Sequence, residues 1–167
     1  NTYAGPTMVY FTYNGYKDGI AATTTGSEPW VTNGTDVGTD LLKDINIRNN
    51  TANPYNFCKI GNNIFFTAND GIVGNEIWKT DGTAAGTVLL KDVRTGPNNS
   101  DPAFLTNVNG TLFFTAYEDG KGYELWKSDG TEAGTMVVKE IMPGATGADP
   151  WAFKTIGGLL YFSAVSP

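Results

Sequence analysis

The sequence contains no histidine, one cysteine and only two arginines among its 167 residues. The absence of histidine excludes Ser-His-Asp triads, histidine general bases and histidine-ligated zinc. The single cysteine, Cys58, cannot form an internal disulfide bond, so a disulfide-stapled scaffold is excluded too. With no histidine to activate it, we interpret Cys58 as a bystander thiol.

Positive charge is also scarce, with 11 Lys and Arg residues against 17 Asp and Glu and a net charge of −6. The two arginines, Arg48 and Arg94, are far apart in the sequence. Because phosphate binding needs clustered Lys and Arg, this composition argues against DNA or RNA as a partner. Basic partners, or cations at an acidic rim, stay open.

Long hydrophobic runs are missing as well. No stretch of 18 apolar residues occurs, so we expect no membrane-spanning helix. The first residues show no signal-peptide pattern, and an exported form would therefore be a mature protein or a fragment.

What the sequence does contain is a repeat with a period of 48 residues. The markers are Trp30, Trp78 and Trp126; Phe66, Phe114 and Phe162; and Pro54, Pro102 and Pro150. Each unit predicts four short strands: one after the proline, one rich in aromatics, one ending in the tryptophan region and one after a Gly-Thr turn. Asp81-Gly82 and its counterparts are strong signals for a hairpin turn between the third and fourth strands.

The second strand decides the architecture. Phe65 and Phe66 are adjacent, as are Phe113 and Phe114, and adjacent side chains of a strand point to opposite faces. Both faces must therefore be buried, which a blade packed between two other blades provides. The Lys-acid pairs of the fourth strand, such as Lys91-Asp92, suit an exposed outer edge.

We therefore predict an all-β, β-propeller-type fold of four-stranded antiparallel blades. Residues 1–167 form a single repeat domain. Its units are a partial unit and blade 1 at about 6–48, blade 2 at about 53–94, blade 3 at about 101–142 and a partial blade at about 149–167. The first unit has extra residues at 17–26, which we place in a surface loop.

About three blades plus a partial one do not close a propeller, which needs four to eight. We expect this arc to belong to a longer chain or to an assembly in which other chains or further blades cover its open ends.

A family resemblance adds to this interpretation. Residues 124–135, Glu-Leu-Trp-Lys-Ser-Asp-Gly-Thr-Glu-Ala-Gly-Thr, resemble the bacterial ELWxxDGT repeat. Residues 76–87 are a near match, and residues 28–39 are a weaker one with Pro29 and Asn33 at two motif positions. The resemblance covers nearly the whole chain. It implies a large exported or surface-associated bacterial protein with tandem propeller-like repeats, and no established activity.

Two repeated side chains invite a functional interpretation. The tryptophans would suit a sugar-stacking surface, but their fixed place in each unit favours packing. Glu28, Glu76 and Glu124 would suit a metal site or a catalytic acid, but we favour a role in tying down a loop backbone.

The loops after the second strands carry acids at Asp18-Gly19, Asp70-Gly71 and Glu118-Asp119-Gly120. Calcium would need six to eight oxygen ligands, so we favour simple turns. The Asp-Gly-Thr turns resemble sialidase Asp-boxes, but two arginines cannot supply a sialidase arginine cluster.

We predict no catalytic, cofactor-binding or metal-ligating residue. The leading hypothesis is a non-enzymatic structural or interaction module outside the cytoplasm, at a cell surface, in the periplasm or secreted. The alternatives are a propeller that binds or processes carbohydrate, for which a pair of carboxylates would suffice, and a calcium-dependent adhesion module.

Overall fold

The computed structural model describes residues 9–14, 26–48 and 51–167. These residues form thirteen strands and contain no helix, so the all-β prediction is confirmed. The strands are β1 (Val9–Asn14), β2 (Ser27–Thr32), β3 (Thr39–Leu41), β4 (Tyr55–Ile60), β5 (Asn63–Asn69), β6 (Asn75–Thr80), β7 (Val88–Lys91), β8 (Ala103–Val108), β9 (Thr111–Glu118), β10 (Gly122–Ser128), β11 (Met136–Lys139), β12 (Trp151–Ile156) and β13 (Leu159–Ser163).

The strands form four antiparallel sheets that follow one another along the chain, and none of them is closed. Blade 2 has the order β4-β5-β6-β7 and blade 3 the order β8-β9-β10-β11. Blade 1 contains β1-β2-β3, and the partial blade contains β12-β13. These are open, propeller-like blades, as the repeat predicts.

The first two strands of blade 1 are joined by the predicted insertion. β1 pairs with β2 from Val9 opposite Thr32 to Asn14 opposite Ser27. β1 therefore occupies the place that the second strand holds in blades 2 and 3. The insertion at 17–26 lies, apart from residue 26, outside the described residues.

The first strands β4, β8 and β12 each contain a bulge where they pair with the second strand. The residue inside the bulge has a positive φ of 57° at Asn56, Phe104 and Ala152. Asn tolerates this left-handed conformation, whereas a residue such as Phe or Ala is strained there. The sequence pattern of a plain strand contains no sign of it.

The first strands of successive blades lie side by side, β4 against β8 and β8 against β12. Asn56 and Thr67 both donate side-chain hydrogen bonds to the carbonyl oxygen of Pro102, at 3.2 and 3.0 Å. Phe104 and Phe153 pack with their ring centroids 5.6 Å apart. The first strands therefore form the inner row along which the blades are stacked.

Among the described residues, two apolar clusters lie one on each face of blade 2. Phe66 packs with Ile45 and Trp78 towards blade 1. Phe65 packs with Leu112 and Phe114 towards blade 3. Burial of adjacent aromatics on opposite faces of the second strand is thus confirmed for blade 2, with exposed fractions of 3% for Phe65 and 0% for Phe66.

In blade 3 the same prediction holds for only one of the two rings. Phe114 is fully buried, but Phe113 is half-buried. The reason is that Phe113 faces the partial blade, where the described residues supply two strands instead of four.

The loop between the third and fourth strands is longer than a tight hairpin turn. In blade 2 it spans residues 81–87, and of Asp81 and Gly82 only the glycine has a positive φ. Asp81 Oδ1 accepts hydrogen bonds from the amide and the hydroxyl of Thr83, at 2.9 and 2.7 Å. Thr80 and Thr87 close the base of the loop with a 2.7 Å bond between their hydroxyls. Side-chain bonds, rather than a two-residue turn, therefore shape this connection.

In blades 1, 2 and 3 the fourth strand is the outer edge of the sheet, as predicted, but it ends before the acid of the Lys-acid pair. β7 ends at Lys91, and one carboxylate oxygen of Asp92 is buried. Asp92 Oδ2 accepts a hydrogen bond from the amide of Gly96, at 3.2 Å. The acid thus supports the segment that leads to the next blade.

Candidate functional site

The contact between blades 2 and 3 shows how one blade covers another. A Cβ atom placed on Gly130 would lie 3.5 Å from Cζ of Phe65. The loop between the third and fourth strands of blade 3, residues 129–135, therefore lies against this ring. Lys79 Nζ donates to the carbonyl oxygen of Gly130 at 2.6 Å. Between blades 1 and 2, Lys43 Nζ likewise donates to Thr87 O at 2.6 Å.

Blade 3 carries the same groups but meets no matching loop. Phe113 and Lys127 stand 48 positions after Phe65 and Lys79. Phe113 is half-buried, and Lys127 is half-buried without a hydrogen-bond partner among the described residues. On the side of blade 3 that faces the partial blade, no described loop covers Phe113 or binds Lys127 in the way that the Gly130 loop covers Phe65 and binds Lys79.

The partial blade is correspondingly bare. Tyr161 is 52% exposed where Phe65 is 3% exposed, and Ile156 is 63% exposed where Val108 is 6% exposed. Phe113 and Lys127 together form what we call the open face. Tyr161 holds the repeat position of Phe65 and Phe113, so it belongs to the side of the partial blade that is turned away from blade 3.

The repeated glutamates do not belong to the open face. Glu76 is fully buried, and its carboxylate accepts hydrogen bonds from the amides of Val93 (2.8 Å) and Ser100 (2.9 Å) and from the Ser100 hydroxyl (2.6 Å). Glu28 binds the amides of Ile45 and Ala52 in the same manner, at 2.8 and 3.1 Å. The predicted role of tying down a loop backbone is confirmed, and the loop is the one that links a blade to the next.

Burial raises the pKa of both carboxyls from 4.5 to about 7 for Glu28 and Glu76. The hydrogen bonds from the amides act in the opposite direction, but desolvation is the larger effect. A nearby acid, Asp44 for Glu28 and Asp92 for Glu76, adds to the increase.

In blade 3 the pattern changes slightly. Glu124 is fully buried and accepts from the amides of Ile141 and Met142, both at 3.1 Å. The glutamate in this blade therefore holds two neighbouring amides instead of reaching the start of the next unit.

The repeated tryptophans are core residues, which confirms the packing interpretation. Trp30, Trp78 and Trp126 have exposed fractions of 7, 6 and 4%. Trp126 stacks on Phe114 with the ring centroids 6.3 Å apart. A sugar could not reach these indoles without displacing the blade packing.

The acidic loops form turns and ion pairs. Asp70 Oδ1 accepts from the amides of Ile72 and Val73, at 2.8 and 2.9 Å, as an Asp-Gly turn requires. Glu118 pairs with Lys121 at 2.7 Å, and Asp119 pairs with Arg94 at 2.9 Å. The acid at residue 18 lies outside the described residues.

Two further observations concern chemistry. Cys58 is half-buried, and burial raises the pKa of its thiol, which suits the interpretation as a bystander. Within residues 9–14, 26–48 and 51–167, no three side chains of the types His, Cys, Asp and Glu converge as a metal site would require.

Comparisons with known proteins do not add a family. No protein-family model, no curated protein and no solved structure matches the chain. The part of the chain that the structure describes also contains no helix with the length and hydrophobicity of a membrane span.

Proposed function

We propose that this protein is a non-enzymatic structural and interaction module whose open face is covered by further strands of the same repeat. The observation that carries the proposal is the difference between Phe65 and Phe113. The two rings have the same sequence context, and only Phe65 is covered by the Gly-containing loop of a following blade.

The repeat itself defines the chemistry of the occupant. It must supply a third and a fourth strand beside β13, and a glycine loop with a free carbonyl oxygen for Lys127. The loop at Gly130 supplies both features to blade 2, because Phe65 lies against it and Lys79 binds its carbonyl oxygen. Burying the open face removes the exposed part of Phe113 from water, which favours the contact by roughly 25 cal/mol per Å² of apolar surface.

The non-enzymatic part rests on the side chains. The sequence has no histidine, and its repeated buried carboxylates are engaged by backbone amides that link the blades. The resemblance to the ELWxxDGT repeat supports an extracytoplasmic, surface-associated setting in a bacterial protein, and we include that location in the proposal.

The test extends the chain by the missing half of a blade. Residues 166–167 are replaced by a copy of residues 118–142, which places a third strand, a glycine loop and a fourth strand after β13. We expect a higher melting temperature and a Phe113 ring as protected as Phe65. The Phe113→Ala substitution should then become as destabilising as Phe65→Ala, at about 3–5 kcal/mol.

In the 167-residue chain, Phe113→Ala should cost less than Phe65→Ala, since Phe113 is already half in water. The matched control is the same extension with glycine and serine residues only. If the repeat extension stabilises the protein no more than this control, the proposed occupant is wrong.

A further inference from the structure

A cleft of about 520 Å³ lies between blades 2 and 3, away from the open face. Its lining includes Arg94, Asn98, Asn99, Asp101, Tyr117 and Tyr123. Its size is within the range of about 300–1,000 Å³ found for small-molecule sites in proteins. It is the meeting point of the segment that links the two blades with the ends of β9 and β10.

One wall of the cleft is aromatic. The guanidinium carbon of Arg94 lies 4.5 Å from the ring centroid of Tyr117. The rings of Tyr117 and Tyr123 lie nearly perpendicular to each other, with the centroids 5.3 Å apart and the planes at 74°. Both tyrosines are half-buried, so each ring keeps part of its surface open to a ligand.

The part of the lining formed by the segment that links blades 2 and 3 is held in place before any ligand binds. Arg94 Nη1 donates to Asn99 O at 3.4 Å, and the amide of Asn75 donates to Asn99 Oδ1 at 2.9 Å. Ser100 is fixed by the buried carboxylate of Glu76. Any side chain at Gly74 would collide with the backbone at Asn98, so the segment lies directly on the blade. A wall fixed in this way lowers the ordering cost of binding.

The polar groups of the cleft favour a neutral ligand with hydroxyl groups. Asp101 Oδ1 accepts from Asn75 Nδ2 at 2.8 Å, while its other oxygen has no hydrogen-bond partner among the described residues. Arg94 is already paired with Asp119. An anionic ligand would therefore meet two carboxylates and a guanidinium that is largely neutralised.

The phenol of Tyr123 acts as a neutral partner. Burial, followed by the charges of Asp101 and Asp149, raises the pKa of Tyr123 above its ordinary value. Its hydroxyl therefore stays protonated and can donate a hydrogen bond at neutral pH.

The equivalent place between blades 1 and 2 has a different character. The residues 48 positions before Arg94, Tyr117 and Tyr123 are Asn46, Asn69 and Asn75. Asn46 Nδ2 donates to Asn69 O at 3.3 Å, so the first two of these positions also meet in space there. The core residues of the repeat are similar in both units. At these three positions, in contrast, the earlier unit has asparagines and the later unit has an arginine and two tyrosines.

We propose that the cleft binds a neutral saccharide, with the C–H face of a sugar ring against the tyrosines and its hydroxyls on Asp101, Arg94 and Asn98. Aromatic rings combined with a carboxylate and amides match a sugar, which has an apolar face and an edge of hydroxyl groups. This proposal is independent of the occupant proposed for the open face.

The test uses the 167-residue chain and nuclear magnetic resonance of its backbone amides. The probes are neutral trisaccharides built from glucose, mannose or N-acetylglucosamine, with trigalacturonate as an acidic comparison. We expect at least one neutral probe to shift amides of residues 94–101, 117 and 123, and trigalacturonate to shift them much less.

The decisive variants restore the residues of the preceding unit, Tyr117→Asn and Tyr123→Asn. Each should weaken binding about tenfold, the loss expected for removing one stacking aromatic. The matched control is Tyr161→Asn, an exposed tyrosine of the partial blade, which should bind normally. If no neutral saccharide shifts the cleft amides, or if both cleft variants bind as tightly as the unchanged protein, the proposal is overturned.

Discussion

Lys79 on the third strand of blade 2 donates a 2.6 Å hydrogen bond to the carbonyl oxygen of Gly130 in blade 3. It joins residues 51 positions apart and crosses the boundary between two blades. The same side chain influences Asp129, whose pKa is lowered chiefly by its hydrogen bonds to Thr131 and, to a lesser degree, by Lys79. Successive blades are therefore joined by a charged contact as well as by apolar packing.

Replacing Lys79 tests this contact. Lys79→Met keeps the apolar stem and removes the donor, and we expect it to lower the free energy of unfolding by about 1 kcal/mol. Chemical denaturation measures the effect. Lys127→Met is the matched control, because Lys127 has no such bond among the described residues, and the two variants should differ clearly. Equal losses would contradict the role of the bond.

The buried glutamates predict how stability depends on pH. Their pKa of about 7 in the folded protein lies above the ordinary value of 4.5. Since the folded state holds these protons more tightly, the contribution to stability is complete below about pH 4.5 and is lost as the pH rises through about 7. The sequence has no histidine, so few other groups titrate in this window.

Denaturant unfolding between about pH 5 and about pH 8 should therefore show decreasing stability with pH. Glu28→Gln and Glu76→Gln should each reduce this slope, while the exposed Glu132→Gln should leave it unchanged. A stability that rises with pH over this range would show that the amide hydrogen bonds outweigh desolvation.

The loop at Asp81 predicts a strong coupling between two residues. A Cβ atom on Gly86 would overlap the carboxylate of Asp81, which is held by Thr83. Gly86→Ala should therefore destabilise the protein by about 2 kcal/mol. In an Asp81→Ala background the same change should cost much less, because the carboxylate is gone. Melting temperatures of the four proteins in this cycle measure the coupling.

Asp81→Asn provides the control for that loop. Asn33 makes the equivalent bonds to Thr35 in blade 1, at 3.0 Å to the amide and 2.7 Å to the hydroxyl. The variant should therefore melt close to the unchanged protein. Asp81→Ala, which lacks the acceptor, should melt lower.

The left-handed residue of the partial blade predicts a stabilising substitution. Ala152 has a φ of 57°, a left-handed conformation that strains an alanine. Ala152→Gly relieves this strain at some cost in chain entropy, and we expect a net gain of about 0.5–1 kcal/mol. Ala103→Gly is the control, since Ala103 has no positive φ and should lose stability. A destabilising Ala152→Gly would show that the bulge is not strained.

The repeat spacing was enough to predict most of the architecture. The prolines at 54, 102 and 150 mark the starts of β4, β8 and β12, and the paired aromatics predicted two buried faces for β5. Both follow from local rules that act within one unit. The left-handed Phe104 was not predictable, because nothing in a run of strand-forming residues signals a bulge in its pairing with β9.

The cleft between blades 2 and 3 was missed for a different reason. Arg94 and Tyr117 come from two units, and their residue types differ from those at the equivalent positions of the preceding unit. Periodic residues therefore give no sign of them. The available signal was the reverse of periodicity: positions 94, 117 and 123 depart from the asparagines found 48 residues earlier. The partial burial of Phe113 likewise could not be predicted, because it depends on which neighbouring strands cover the blade and not on the residues around Phe113.

The buried glutamate has one further consequence. Glu76 of blade 2 binds Ser100, just before the first strand of blade 3, and Glu28 of blade 1 binds Ala52, just before the first strand of blade 2. Blades 1 and 2 therefore each hold the start of the unit that follows. A further repeat of 48 residues inserted between two blades would form the same kinds of contact with both neighbours that the present blades form with each other. Duplication or deletion of whole repeats can therefore change the length of the protein without requiring a new type of contact between blades.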